Sequence, residues 1–124
     1  MIKNKNKKIL IVDDNIVNLE ILRNMLGSEG YMVIHASGGR AAVQMAKRDL
    51  PDLIILDIIM PDIDGGEVAS ILKRHPRTKN IPIIFLSSLI SKKEEKFSSS
   101  KKGISLVAKP CRRDELLKQV EVYL

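Results

Sequence analysis

Short apolar, β-branched segments alternate with segments of helical periodicity along the whole chain, and each apolar segment stops abruptly on polar residues. Together these features predict an α/β domain: a five-stranded parallel sheet with helices on both faces. The clearest segment is Leu53, Ile54, Ile55 and Leu56, four apolar residues without alternation, ended by Asp57. An unbroken run of this kind suits a strand covered on both faces, since a strand with one wet face alternates. A length of 124 residues allows one domain with a single sizeable core and not two ordinary ones.

Residues 8–12 read as the first strand, stopped by Asp13-Asp14-Asn15. In residues 16–26 the period changes: Leu19, Leu22 and Leu26 are spaced by three and four, which makes an amphipathic helix closed by Gly27 and Gly30. Residues 31–36 follow as the second strand. Beyond the loop Ser37-Gly38-Gly39, Ala42, Val43 and Ala46 give a second helix a small-residue inner face. The third strand spans residues 52–57, and Met60-Pro61 breaks the chain into a loop. Residues 65–75 form the next helix, with Val68, Ile71, Leu72 and His75 on one side and Pro76 as its stop. Residues 81–86 are a fourth strand, with Pro82 tolerated at its entry. Residues 91–102 are polar and weakly periodic and read as a helix, with Phe97 their one large apolar residue. Residues 104–108 give the fifth strand, broken by Lys109-Pro110. Leu117, Val120 and Leu124 mark the closing helix over residues 114–124, with Asp114 or Arg113 near its cap. Right-handed crossovers and this length favour the doubly wound, flavodoxin-like strand order 2-1-3-4-5. Residues 1–7 are expected to be a flexible basic tail, and residues 8–124 the domain.

Composition excludes several classes. Apolar content of 44% argues against disorder, and aromatic content of 3% means an aliphatic core with methionine as filler. The single cysteine, Cys111, rules out an internal disulfide and is expected to be a free thiol with no redox role. No apolar run approaches the roughly 20 residues of a membrane span, and the basic start lacks a signal-peptide core, so a cytoplasmic protein is expected. The net charge of +6 is carried by the leading tail and the last third of the chain. Without a recognition motif or an aromatic-basic surface, nucleic acid is not the expected partner; the charge reads as solvation or as a match for an acidic protein. His35 and His75 are expected to be surface or packing residues.

In a doubly wound sheet the residues just after the strands converge on one edge. The first strand delivers Asp13 and Asp14, the third Asp57, the fourth Ser87 and Ser88, and the fifth Lys109. Gathered carboxylates repel and raise at least one pKa, so a cation is expected among them, and oxygen-only ligands favour Mg²⁺ or Mn²⁺ over zinc. A lysine and a hydroxyl aimed at the same point supply what a phosphoryl group needs, and the set describes a carboxylate nucleophile that accepts phosphate. Plainer roles exist for each member. Asp13, Asp14 or Asn15 can cap the first helix, Asp57 its loop, Ser87 or Ser88 the next helix, and Lys109 can be an ordinary surface residue. The case for one site is their joint placement at the ends of alternating strands.

The chain resembles the receiver domains of two-component response regulators over nearly its whole length. The likeness is carried by I-L-I-V-D-D-N at residues 9–15, D-I-I-M-P-D-I-D-G at residues 57–65, I-P-I-I-F-L-S-S at residues 81–88, and Lys109-Pro110. The resemblance implies that Asp57 takes a phosphoryl group from a phosphohistidine on a sensor histidine kinase or phosphotransfer protein. It further implies that Asp14 binds Mg²⁺ directly and Asp13 mostly through water, with the Ile59 carbonyl as a further ligand. Ser87 would hydrogen-bond the phosphoryl group, Lys109 would pair with it, and the peptide before Pro110 would be cis. Such a domain phosphorylates and dephosphorylates itself rather than turning over an outside substrate, and it signals by a population shift in the loop after the fourth strand.

Three positions depart from the family pattern. Leu106 stands where a Tyr or Phe is usual, Gly103 is one residue closer to the lysine than is typical, and Ser88 replaces a small alanine. Ile59 and Leu89 sit where members differ in acyl-phosphate lifetime, and two aliphatic residues there are expected to hinder an attacking water; packing at the rim is the alternative. Two rival functions are a degenerate receiver acting only as an interaction module and a phosphatase of the haloacid dehalogenase type. The latter needs a second acid two residues after the nucleophile, where Ile59 stands. The face made by the helix of residues 91–102, the fifth strand and the closing helix is the expected place for a homodimer or partner contact.

Overall fold

The computed structural model describes residues 6–87, 104–109 and 112–124. Within them lie β1 (Lys8–Val12), α1 (Ile16–Gly27), β2 (Met32–Ala36), α2 (Gly39–Asp49), β3 (Leu53–Asp57), α3 (Gly65–Arg74), β4 (Ile83–Ser87), β5 (Ile104–Ala108) and α4 (Arg113–Tyr123). The five strands form one parallel sheet in the order β2-β1-β3-β4-β5. The helix expected over residues 91–102, most of the basic tail, Leu89, Gly103, Pro110 and Cys111 lie outside the described residues.

Alternation along each strand splits the core into two layers. Ile9, Ile11, Leu53, Ile55, Ile84, Leu86 and Val107 face α1 and α4, where Leu19, Leu22, Leu26, Leu116 and Val120 meet them. Leu10, Val12, Ile54, Leu56, Ile83 and Phe85 face the other way, against Ala42 and Ala46 of α2 and Val68, Ala69 and Leu72 of α3. Ala42 and Ala46 form the buried inner face of α2, as their spacing predicts. Central strands buried on both faces explain why their sequence shows no polar alternation.

Several element ends differ from expectation for local reasons. β4 starts at Ile83 rather than at residue 81 because Pro82 has no N–H to donate; only its carbonyl joins the sheet, accepting from the Ile54 N–H at 3.0 Å. It runs one residue further than expected, to Ser87, whose backbone pairs with Ala108. α1 includes Gly27, and Gly30 with φ 94° makes the turn into β2. α3 ends at Arg74, because His75 has already gone extended as its C-cap. The C-terminal helix begins at Arg113, where the Glu115 carboxylate accepts the Arg112 N–H at 3.1 Å and satisfies an orphan donor of the first turn.

Register sets the functional edge. Val12 pairs with Leu56 and with Ala36, Asp57 with Leu86, and Ser87 with Ala108. Asp13, Asp57 and Lys109 therefore leave the sheet at nearly one level. By alternation all three share the parity of the α1/α4 face, opposite to Val12, Leu56 and Leu106.

Candidate functional site

Three adjacent residues after β1 are able to cap α1, and the structure assigns that task to Asn15. Its side-chain oxygen accepts from the Val17 N–H at 2.9 Å and from the Asn18 N–H at 3.2 Å. Asp13 and Asp14 are thereby released from capping. Asp13 turns inward and is only 2% exposed, with Oδ1 accepting the Asn15 N–H at 2.9 Å and Oδ2 accepting Asn18 Nδ2 at 3.2 Å. Asp14 is exposed beside it.

Of the residues expected to meet at the strand ends, Asp13, Asp14, Asp57 and Lys109 come together. Asp13, Asp14 and Asp57 each offer a carboxylate oxygen within 4.8 Å of the others. Lys109 enters from the end of β5, 96 residues along the chain from Asp13, and its Nζ donates to Asp13 Oδ2 at 3.0 Å while lying 3.7 Å from Asp57 Oδ1. Burial pushes the Asp57 carboxyl above the usual carboxylate range. Lys109 opposes that rise, Asp13 reinforces it, the Ile59 backbone N–H opposes it, and Asp14 reinforces it more weakly. Among the described residues the three-carboxylate cluster is met by one ammonium, which reaches Asp13 and Asp57 only, so the donor set fits a hard divalent cation held by oxygen. The backbone of Ser87 ends β4 at the same edge. Its hydroxyl, like Ser88, lies outside the described residues, and the same holds for the cis peptide expected before Pro110.

The loop from Asp57 to α3 is closed tightly. The Gly65 N–H donates to the Ile58 carbonyl at 2.7 Å, and Asp64 caps α3 by accepting the Glu67 N–H at 2.8 Å. A Cβ at Gly65 would overlap the Asp57 carbonyl oxygen and lie 2.9 Å from Ile58 Cα. The position needs glycine for space, not for an unusual φ. Gly65→Ala is accordingly expected to cost on the order of 1–3 kcal/mol by forcing the backbone apart, read as a lowered urea midpoint. An unchanged midpoint would show that the loop yields freely. Met60 within this loop is buried, while the Ile59 side chain is 55% exposed.

Sequence reasoning missed Asp62. Its two oxygens accept the Gly39 N–H at 3.0 Å and the Arg40 N–H at 2.9 Å, capping α2 from a loop more than 20 residues away. No local pattern announces such a tie. His35 and His75 are surface residues as expected: the Arg23 guanidinium donates to His35 Nδ1 at 2.7 Å, and His75 Nδ1 accepts the Arg77 N–H at 3.1 Å.

An acidic cluster met by Lys109 thus stands at the C-terminal edge of a 2-1-3-4-5 parallel sheet, and comparison with known proteins assigns a family to the chain. Residues 9–121 match the family model of the response regulator receiver domain, and the chain belongs to that family. It is 44% identical over 82 residues to the response regulator PleD of Caulobacter vibrioides, a match covering 66% of this chain and 18% of PleD. The chain thus spans less than a fifth of that relative's length. The polar-differentiation response regulator DivK of Brucella abortus is 29% identical over 118 residues, covering 95% of this chain and 96% of DivK. Among solved structures, a putative response regulator from Chloroflexus aurantiacus superposes with a TM-score of 0.84 at 32% identity, over 96% of this chain and 98% of that one. The chemotaxis response regulator CheY4 of Vibrio cholerae gives 0.82 at 29% identity, over 95% and 98%. Receiver domains bind Mg²⁺ at such a cluster and interact with histidine kinases or phosphotransfer proteins. Among the described residues, no helix is long and apolar enough to cross a membrane.

Proposed function

We propose that Asp57 is the phosphoacceptor of this receiver and that the reaction depends on Mg²⁺ or Mn²⁺. The observation that carries the reading is the placement of Lys109, which touches Asp13 and reaches towards Asp57 within a three-carboxylate cluster. A carboxylate oxygen of Asp57 attacks phosphorus, the P–N bond to the donor's histidine breaks, and its electron pair leaves with the imidazole. Asp13, Asp14, Asp57 and the Ile59 carbonyl would hold a divalent cation, which when bound would supply charge neutralisation for the phosphoryl oxygens. Lys109 pairs with the oxygens of the transferred group and Ser87 donates a hydrogen bond to it. The phosphodonor is a sensor histidine kinase or a phosphotransfer protein. Exposed Ile16 and Val17 at the start of α1, with Ile59 across the same edge, offer that partner an apolar rim. Ser87 drawn towards phospho-Asp57 carries the loop behind it into the signalling conformation.

Titration with beryllofluoride or acetyl phosphate in the presence of Mg²⁺ tests the reading, with the adduct located by mass spectrometry. Modification at Asp57 supports it. A chain that binds nothing there is an interaction module only, and rapid hydrolysis of added phosphate esters marks a phosphatase. The exposed Ile59 side chain further predicts a long-lived acyl phosphate, because a branched aliphatic group at the mouth offers an incoming water no hydrogen bond. Ile59→Asn should dephosphorylate about tenfold faster, less than the roughly 10²–10⁴-fold of full general acid–base catalysis because an amide only orients the water. Equal decay rates would assign Ile59 to the rim alone.

A further inference from the structure

α2 begins at Gly39, behind Gly38, and neither residue brings a side chain to satisfy the first amides of the helix. The carboxylate that does so belongs to Asp62, on the loop carrying the proposed metal ligand Ile59. The fit is close. A Cβ at Gly38 would lie 3.3 Å from Asp62 Oδ2, and one at Gly39 would come within 2.5 Å of Ile63 Cγ1 and 2.7 Å of the Ile63 carbonyl oxygen. Two consecutive glycines thus let the loop lie directly on the first turn of α2. The Asp62 carboxyl is held down to about 2, first by the Arg40 amide and then by the Gly39 amide, so the tie persists at any pH where phosphoryl transfer is measured.

The same loop is fixed on its other side by the Gly65 N–H to the Ile58 carbonyl. Ile59 lies between these two attachments, with its own N–H on the Asp57 carboxylate, buried Met60 beside it, and Ile58 and Ile63 packed on the core. We propose that Asp62 is a positioning residue: by fastening the loop to the first turn of α2 it fixes the direction of the Ile59 carbonyl, and so sets the affinity of the acidic cluster for Mg²⁺. The inference rests on the reading of Asp57 as a Mg²⁺-dependent phosphoacceptor. Groups that hold metal ligands from outside typically change metal affinity by about 10- to 100-fold when removed.

The test is calorimetric titration of Mg²⁺ into the wild type, Asp62→Ala and Asp62→Asn, with amide exchange at Gly39 and Arg40 and the acetyl phosphate reaction followed alongside. Asp62→Ala should expose both amides to exchange and raise the Mg²⁺ Kd about tenfold, while the phosphorylation rate at saturating Mg²⁺ returns to the wild-type level. Asp62→Asn, which keeps one acceptor oxygen, should fall between. A general loss of folded protein would instead depress the saturated rate and leave the Kd of the remaining fraction unchanged. Exposed amides with a wild-type Kd would overturn the inference and leave the proposed function standing. A wild type that does not titrate with Mg²⁺ would overturn the proposed function and the inference with it.

Discussion

Asp57→Asn is expected to abolish modification by acetyl phosphate and beryllofluoride and, in metal-free buffer, to unfold at a higher temperature than the wild type. The first effect is removal of the nucleophile: an amide oxygen forms no acyl phosphate. The second follows from charge, since asparagine keeps the shape while ending the repulsion between Asp57 and its neighbours Asp13 and Asp14, and removes a carboxylate that burial already disfavours. Loss of the Lys109 contact at 3.7 Å works against this gain, but Lys109 keeps its closer bond to Asp13 at 3.0 Å. The pH dependence has a definite sign. A carboxyl raised above its unfolded value binds its proton more tightly in the folded state, so stability falls as pH rises from the unfolded value to the folded one and stays reduced above it. The advantage of Asp57→Asn is therefore full at neutral pH and fades on acidification, where Asp57 is neutral too. Thermal melts of both proteins from pH 7 down to the carboxylate range check this. A variant less stable than the wild type at pH 7 would mean that the lysine contact outweighs burial and repulsion. Added Mg²⁺ should narrow the gap by stabilising the wild type more than the variant.

The parts of this site that the sequence made legible are those set by strand ends. Apolar runs buried on both faces are long enough to align in register, and the first polar residue beyond each, Asp13, Asp57 and Lys109, arrives at one edge with one parity. Which of three cap-competent residues serves α1 was not legible, because Asp13, Asp14 and Asn15 each carry a side-chain oxygen able to accept the first amides of the helix. The start of β4 was misplaced because apolar content extends the run to residue 81, whereas pairing obeys the missing N–H of Pro82. Asp62 gave no signal at all. Inside M-P-D-I-D-G it reads as one more polar loop residue, and its partners are backbone amides, which carry no sequence signature.

Lys109→Ala should separate metal binding from phosphoryl transfer. Lys109 is the one cation in contact with Asp13 and Asp57 among the described residues, so it plays two opposed parts. In the resting domain it offsets the carboxylate charge; under the proposed function it would compete with a divalent ion for Asp13 and, during transfer, face the developing charge on the phosphoryl oxygens. Alanine removes both. The metal-free variant should lose on the order of 1–3 kcal/mol, the cost of taking a charged donor from a buried acceptor. The loss stays moderate because Asp13 keeps the Asn15 N–H and Asn18 Nδ2. The freed carboxylates should bind Mg²⁺ at least as tightly as in the wild type, whereas phosphorylation by acetyl phosphate should slow by about 10²–10³, as when one donor to a transition-state oxyanion is deleted. Lys109→Arg is expected to recover only part of the rate, because a planar fork fitted to Asp13 does not place a point charge between two carboxylates. Tighter or equal Mg²⁺ binding combined with slow transfer is the signature of a residue that acts on the phosphoryl group. A matching loss of both would make Lys109 a structural support of the cluster, and an unchanged rate would remove it from the reaction.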